Sequence, residues 1–286
     1  MVDRCCHRSA RLSQGKVNQG QIQCPYHGWC FDASGICQRV PQLPDQPIPN
    51  RYQVEAFHCA QRYGYVWVCL DEPLVDIPTI PEADDPQFRY ISEFYEVWNC
   101  AGLRLMENSF DNAHPQFVHE RTFGLHQEPV PPAPDRFTET ADGFTMTYRL
   151  PVKNSDVQKR NLQMADEQTV RISEGKWYMP FGRSLKITYP NGLIHLIFTA
   201  ATPIGDRAIQ LVQFCLRNDS EAEAKAEDII AFDRSVTLED KAVLEGTDYD
   251  VPLDIQAEQH MASDKPGIVM RHRLAALIKA YDRAET

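Results

Sequence analysis

Cys5-Cys6-His7 and Cys24-Pro25-Tyr26-His27 are separated by sixteen residues, and each first cysteine is matched with its own histidine as C-x-H and C-x2-H. No other feature constrains the fold as much, because two distant loops must meet if Cys5, His7, Cys24 and His27 are all ligands. Two thiolates and two imidazoles suit a [2Fe–2S] cluster with sulfur on one iron and nitrogen on the other. The alternative is a tetrahedral Cys2His2 zinc site. Structural zinc fingers gather their histidines at one end of the motif, so the paired arrangement favours the cluster.

A second ligand pattern follows about eighty residues later, in Asn108-Ser-Phe-Asp111-Asn-Ala-His114-Pro115-Gln-Phe-Val-His119. The stretch reads as helical, which puts Asp111 and His114 on one face as i,i+3 neighbours. His114 and His119 would lie about 140° apart on a straight helix, and Pro115 disturbs the turn enough to bring the rings together. Neutral imidazoles with a carboxylate are the ligand set of non-haem Fe(II) sites that keep open positions for oxygen. The carboxylate is sought on a long helical pattern over 221–245, with Gly246 as its stop. Val236, Val243 and Phe232 fall within about 60° of Ile229 on that helix, and Asp240 falls about 20° to the other side. A carboxylate in an apolar stripe is costly unless paired or metal-bound. Asp240 is therefore the third ligand of choice, and Asp233 the runner-up.

Composition narrows the function classes. The net charge of −11 argues against nucleic acid as a general partner. No apolar run approaches the roughly 20 residues that span a bilayer, and no signal peptide is visible, so the expected location is cytoplasmic. The nine cysteines in 286 residues are too scattered for a small disulfide scaffold. Cys30 and Cys37 read as small buried thiols.

The texture around the Cys/His pairs is strand and turn. Phe31–Gly35 reads as a turn before a short strand through Cys37 and Val40, and Tyr52–Phe57 and Tyr63–Leu70 read as strands. A proline-rich loop covers 41–49, and the acidic, proline-rich segment from Asp71 onward reads as an extended linker. The domain boundaries expected are 1–70, a linker over 71–87, and 88–286. In the second domain, Phe88–Trp98, Phe144–Leu150, Ser184–Tyr189, Leu193–Ala200 and Ala208–Leu216 read as strands, with Pro190-Asn191-Gly192 as a hairpin turn. Ile268–Tyr281 reads as a basic amphipathic helix on the surface. His195 and His58 are expected in core or surface roles, while His126 is a candidate for lining a pocket. Tyr178, Phe181, Tyr189 and Phe198 could line it too, though sheet aromatics are usually core.

Taken together, Cys5-x-His7, Cys24-x2-His27, Asp111-x2-His114-x4-His119 and Leu238-Glu-Asp240-Lys closely resemble the catalytic α subunit of the Rieske non-haem iron oxygenases. The α-only enzymes, dicamba and vanillate O-demethylases and saxitoxin-biosynthesis hydroxylases, are the most similar subgroup. The resemblance implies an α+β chain: an all-β Rieske [2Fe–2S] domain followed by a helix-grip domain, an antiparallel sheet wrapped around a long helix. It implies a cluster on Cys5, His7, Cys24 and His27 and a mononuclear iron on His114, His119 and Asp240. Asp111 would bridge to His27 of a neighbouring copy and carry the electron between protomers of a ring-shaped homotrimer. Electrons would come from NAD(P)H through a flavin reductase, a ferredoxin or both. O2 and a small cyclic organic molecule would be the substrates, the latter hydroxylated or O-demethylated.

Respiratory Rieske proteins carry a disulfide clamp whose positions here are Ala10 and Tyr26, and a serine that here is Trp29. Fewer hydrogen bonds to the cluster sulfurs imply a lower potential, which fits a donor to an oxygen-activating site. The family's first strands are missing ahead of Cys5, which reads as an N-terminal truncation that leaves the cluster domain incomplete and its cluster retention in question. Cys6 replaces the usual proline. Rival readings are a truncated, non-catalytic relative and an electron-transfer-only Rieske protein.

Overall fold

The computed structural model describes residues 1–125, 133–205 and 207–284, so His126 lies outside the described residues. The chain forms two compact units, Met1–Pro78 and Thr79–Thr286. No helix among the described residues is long and apolar enough to cross a membrane.

The first unit is built from short strands, because turns and metal-motif loops interrupt the chain every few residues. A four-stranded antiparallel sheet runs in the order β1 (Lys16–Asn18), β2 (Gln21–Gln23), β3 (Cys30–Phe31) and β4 (Cys37–Arg39). Gln19 and Gly20 join β1 to β2 with positive φ, the geometry of a tight hairpin. Leu12, Phe31, Val40 and Val54 form the core with the buried thiols of Cys5, Cys24 and Cys37. Cys30 and Cys37 are buried and free, as expected for small thiols in a core. A separate hairpin, β5 (His58–Arg62) and β6 (Tyr65–Cys69), differs from expectation. Tyr63 and Gly64 carry positive φ and form its turn, so Tyr63 is not a strand residue. Tyr52–Phe57 is not a strand either; it is anchored by one isolated bridge, Ile36 to Gln53.

The second unit is a seven-stranded antiparallel sheet with helices packed on it. Strand β7 (Arg89–Trp98) leads into helix α1 (Gly102–Ser109) and the one-turn helix α2 (Pro115–Val118). Then come β8 (Arg136–Thr140), β9 (Gly143–Lys153), helix α3 (Asp156–Leu162), β10 (Gln168–Tyr178), β11 (Gly182–Thr188), β12 (Ile194–Pro203) and β13 (Ile209–Arg217). Two helices close the chain, α4 (Ala226–Leu244) and α5 (Lys265–Ala284). The sheet order is β7-β13-β12-β11-β10-β9-β8, a meander whose last strand returns beside the first. Alternation dictates much of this: β9 buries Phe144, Met146, Tyr148, Leu150 and Val152 on one face.

Two glycines let α1 approach the sheet. A Cβ on Gly175 would come within 2.8 Å of the Phe110 ring, and one on Gly102 within 3.0 Å of Phe181. Phe110, Met106, Trp98, Phe144 and Trp177 are then nearly fully buried in one core. Strand β8, strand β10 and helix α3 carry no clear sequence signal and were not expected. Helix α5 corrects another expectation, since Met270 and Arg271 are buried and the helix packs on α1 rather than lying on the surface. Arg271 can be buried because Glu107 and Glu258 both accept from its guanidinium.

Candidate functional site

In the first unit the two Cys/His loops close in the same manner. The Cys5 amide donates to Ala10 O and the Cys24 amide to Trp29 O, each at 2.8 Å, so each loop folds back on its own cysteine. The histidine rings end up with centroids 4.6 Å apart, and Trp29 stacks on His7 at 4.6 Å with planes 2° apart. His7 Nδ1 is buried with no hydrogen-bond partner. Burial and the neighbouring His27 lower the basicity of His7, which keeps it neutral and able to ligate. Burial pushes the Cys5 thiol up to about 11, with Cys24 beside it adding to the rise. Burial thus keeps the free thiol protonated, and a metal would displace that proton on binding. The donor set and the unpartnered His7 nitrogen therefore fit a cluster. Cys6 is exposed at the loop surface.

In the second unit the expected single helix over 108–119 is broken. Helix α1 stops at Ser109, and Asp111 sits in a turn where its Oδ1 accepts from the Ala113 amide at 2.6 Å. An aspartate side chain bonding two residues ahead competes with helix formation. Pro115 then starts α2 at the position where its missing donor costs nothing. His114 and His119 cap the two ends of this single turn, so their rings meet without the 140° separation of a straight helix. The two Nε2 atoms lie 3.3 Å apart. From α4, Asp240 Oδ1 comes to 3.6 Å from His114 Nε2 and 3.3 Å from His119 Nε2. The ligand atoms of the three residues lie within 4.8 Å of one another, close enough for one ion.

The surroundings fix each donor. His119 Nδ1 lies 3.0 Å from Glu239 Oε2, which also accepts from the Thr122 hydroxyl at 2.7 Å. That carboxylate holds the proton on Nδ1 and leaves a lone pair on Nε2. Burial alone would lower the His119 pKa, but hydrogen bonds and charge from Asp240 and Glu239 outweigh it and raise it. Burial likewise opposes ionisation of Asp240, yet His119, His114 and the Asn108 amide hold its carboxyl below the usual range. Asn108 Nδ2 donates to Asp240 Oδ1 at 3.0 Å. Asp111 Oδ2 stands 3.6 Å from His114 Nδ1, too long for a hydrogen bond. Phe123 stacks on His119 at 4.8 Å, and a Cβ on Gly124 would meet Pro115 O at 2.4 Å. Gly124 is thus required where the chain turns back under α2.

A cavity of about 110 Å³ runs from these three residues between the sheet and α4. Its walls include Leu105, Leu185, Ile187, Ile197 and Val236, with Tyr148 and Arg183 among the polar lining. Tyr189 also lines it, whereas Tyr178 and Phe198 are core residues and Phe181 packs on the core edge. Asp233 faces the cavity too, but His195 Nε2 lies 3.1 Å from its Oδ2, so the runner-up acid is engaged elsewhere. Glu93, His195, Cys215 and Asp233 form a second buried polar group. His195 is accordingly a core residue, and His58 sits at an exposed strand end beside Glu72. Glu239 and Asn108 lie inside the quoted motifs, but nothing in their spacing assigns them a role; only the fold brings them to His119 and Asp240.

Comparison with known proteins agrees with this layout. Residues 1–57 match the family described as Rieske [2Fe-2S] domain, and residues 98–280 match Vanillate O-demethylase oxygenase C-terminal domain. The methylxanthine N1-demethylase NdmA of Pseudomonas putida is 32% identical over 98% of this chain and 77% of its own. The methylxanthine N3-demethylase NdmB of the same organism is 30% identical over 94% and 75%. A structure of NdmA with caffeine superposes with a TM-score of 0.81 at 31% identity, covering 99% of this chain and 79% of that one. Dicamba monooxygenase bound to dicamba gives a TM-score of 0.78 over 99% and 87%, and at 19% identity it speaks for the fold alone.

Proposed function

The chain belongs to the Rieske non-haem iron oxygenases, and from that premise we propose which residues carry the chemistry and what the cavity accepts. It is an oxidoreductase of the oxygen-incorporating kind, with a Rieske [2Fe–2S] cluster and a mononuclear iron as the family's cofactors and a small cyclic compound as substrate. We infer that Cys5, His7, Cys24 and His27 hold the cluster and that His114, His119 and Asp240 hold the mononuclear iron. The observation that carries this is the meeting of two imidazole Nε2 atoms and one carboxylate oxygen within 4.8 Å at the end of a cavity. With both groups bound, the protein consumes O2, two electrons and two protons, puts one oxygen atom into a substrate C–H bond and releases the other as water. On an N- or O-methyl group the same change leaves a carbinol that loses formaldehyde, so demethylation is the favoured outcome.

The chain's own residues prepare that reaction. Glu239 keeps the proton of His119 on Nδ1, leaving Nε2 free to ligate. Asn108 turns Asp240 Oδ1 toward the two imidazoles. The aliphatic walls hold a small ring against this end of the cavity and keep water from it. Asp111, a third exposed beside His114, is the group that would pass the electron from a neighbouring protomer's cluster in a homotrimer. NAD(P)H, through a flavin reductase or ferredoxin, would be the electron source.

The test is Asp240→Ala. The variant retains the cluster absorption and the cluster iron, loses the mononuclear iron, and forms no product. Full iron content, or undiminished product formation, removes Asp240 from the ligand set.

A further inference from the structure

We propose that Arg183 is the specificity-determining anchor of the cavity and that the substrate carries a carboxylate. This rests on the oxygenase reading and names the substrate class of that same site. Arg183 lies on β11, opposite Trp177 on β10 and Thr199 on β12, and its side chain lines the cavity. Its Nε is buried without a hydrogen-bond partner, and no ion pair within 4.0 Å meets its guanidinium among the described residues. Arg183 as a whole is half-buried; of the buried arginines, Arg217 is met by Asp219 and Arg271 by Glu107 and Glu258, while Arg171, on the same cavity, likewise has a buried Nε without a hydrogen-bond partner.

The acids nearest to Arg183 are already engaged. Asp240 faces His114 and His119 and accepts from Asn108. Asp233 faces His195, and Asp111 accepts from the Ala113 amide. Glu93 is a weak counter-ion, because burial and the nearby Asp233 push its carboxyl well above the usual range. A second guanidinium lines the same cavity: Arg171, buried, over the Phe123 ring at 4.4 Å. Burial works against the charge on Arg183, and Asp240, Tyr148 and Glu93 only partly oppose it. A half-buried guanidinium whose Nε is cut off from water gains from a carboxylate placed against it. A carboxylate meets a guanidinium with two parallel charge-assisted hydrogen bonds, which a neutral carboxamide cannot match.

The experiment compares benzoate and the isomeric methoxybenzoates with their benzamides. Binding to the anaerobic, fully metallated protein is read by calorimetry. At least one acid is expected to bind about tenfold to a hundredfold more tightly than its amide. Arg183→Gln abolishes that preference, and Arg183→Lys keeps part of it. The proposal is overturned if no acid binds, if amides bind as well as acids, or if Arg183→Gln keeps the preference. The wild-type comparison decides even where a variant fails to fold. Wild-type protein lacking cluster and mononuclear iron refutes the oxygenase reading; metallated protein with no preference for acids refutes this inference alone.

Discussion

Glu239→Ala is the sharpest probe of how the proposed iron ligands are held. Glu239 Oε2 is the acceptor for both His119 Nδ1, at 3.0 Å, and the Thr122 hydroxyl, at 2.7 Å. His119 and Thr122 are buried, so the variant leaves two polar groups without acceptors, each worth about 1–3 kcal/mol. Loss of the tautomer lock on a metal-ligating histidine lowers metal affinity by about 10- to 100-fold, or about 1.4–2.7 kcal/mol. Phe123 still stacks on the ring, which places the loss near tenfold rather than at abolition. The assay is an anaerobic Fe(II) titration of iron-depleted protein against a competing chelator, with the cluster absorption as internal control. Glu239→Gln should fall between, since its carbonyl still accepts from His119 while one acceptor oxygen is lost. Unchanged iron affinity in Glu239→Ala would refute the reasoning.

Three further outcomes are expected. Asp111→Asn keeps the turn, because an asparagine oxygen can still accept from the Ala113 amide. It should therefore retain mononuclear iron while cluster reoxidation in a stopped-flow single turnover slows by about 10- to 100-fold; wild-type reoxidation rules out the bridging role. Gly124→Ala places a methyl 2.4 Å from Pro115 O and 2.8 Å from His119 O, so α2 must shift and mononuclear iron content should fall while cluster content does not. Hydrogen bonds from Arg104, opposed by burial and joined by Arg271, hold the Glu258 carboxyl at about 2 instead of 4.5. The stabilisation is present above pH 4.5 and fades as pH falls toward 2. Glu258 is 31% exposed, so screening leaves about 1 kcal/mol. Urea midpoints of wild type and Glu258→Gln should differ at pH near 6 and converge in acid; a constant gap refutes the assignment.

What the sequence made legible follows from the range of each interaction. Cys5-x-His7 and Cys24-x2-His27 are local signatures, and each loop is closed by its own backbone hydrogen bonds, so spacing alone could announce them. Strands β7, β9, β11, β12 and β13 alternate or carry turn signals at their ends. Strand β10 hides because Arg171, Ser173 and Gly175 occupy its inward face in place of large apolar residues. The helix expected over 108–119 failed at Asp111, where one side-chain hydrogen bond to Ala113 outcompetes helical continuation. Glu239 and Arg183 could not be assigned from spacing, since their meaning comes from residues more than a hundred positions away or from an absent counter-charge.

The choice between Asp233 and Asp240 shows the same limit from the other side. Both acids lie on the inward face of α4, seven residues and about 10 Å apart along the axis. A helical wheel separates them by only about 20°, which cannot decide anything. Their partners decide. Strand β12 delivers His195 to Asp233, while α1 and α2 deliver Asn108, His114 and His119 to Asp240. At Asp233 one imidazole faces one carboxylate, with His195 Nε2 3.1 Å from Oδ2. Two imidazole Nε2 atoms 3.3 Å apart, with Asp240 Oδ1 at 3.6 and 3.3 Å, bring three possible ligand atoms to one point, and Glu239 leaves a lone pair on the His119 nitrogen. A cation at that point would meet those nitrogens and the Asp240 charge together. The acid we propose as metal ligand is therefore the one placed against two imidazoles, and that meeting is created by the break at Asp111–Pro115 rather than by anything in α4.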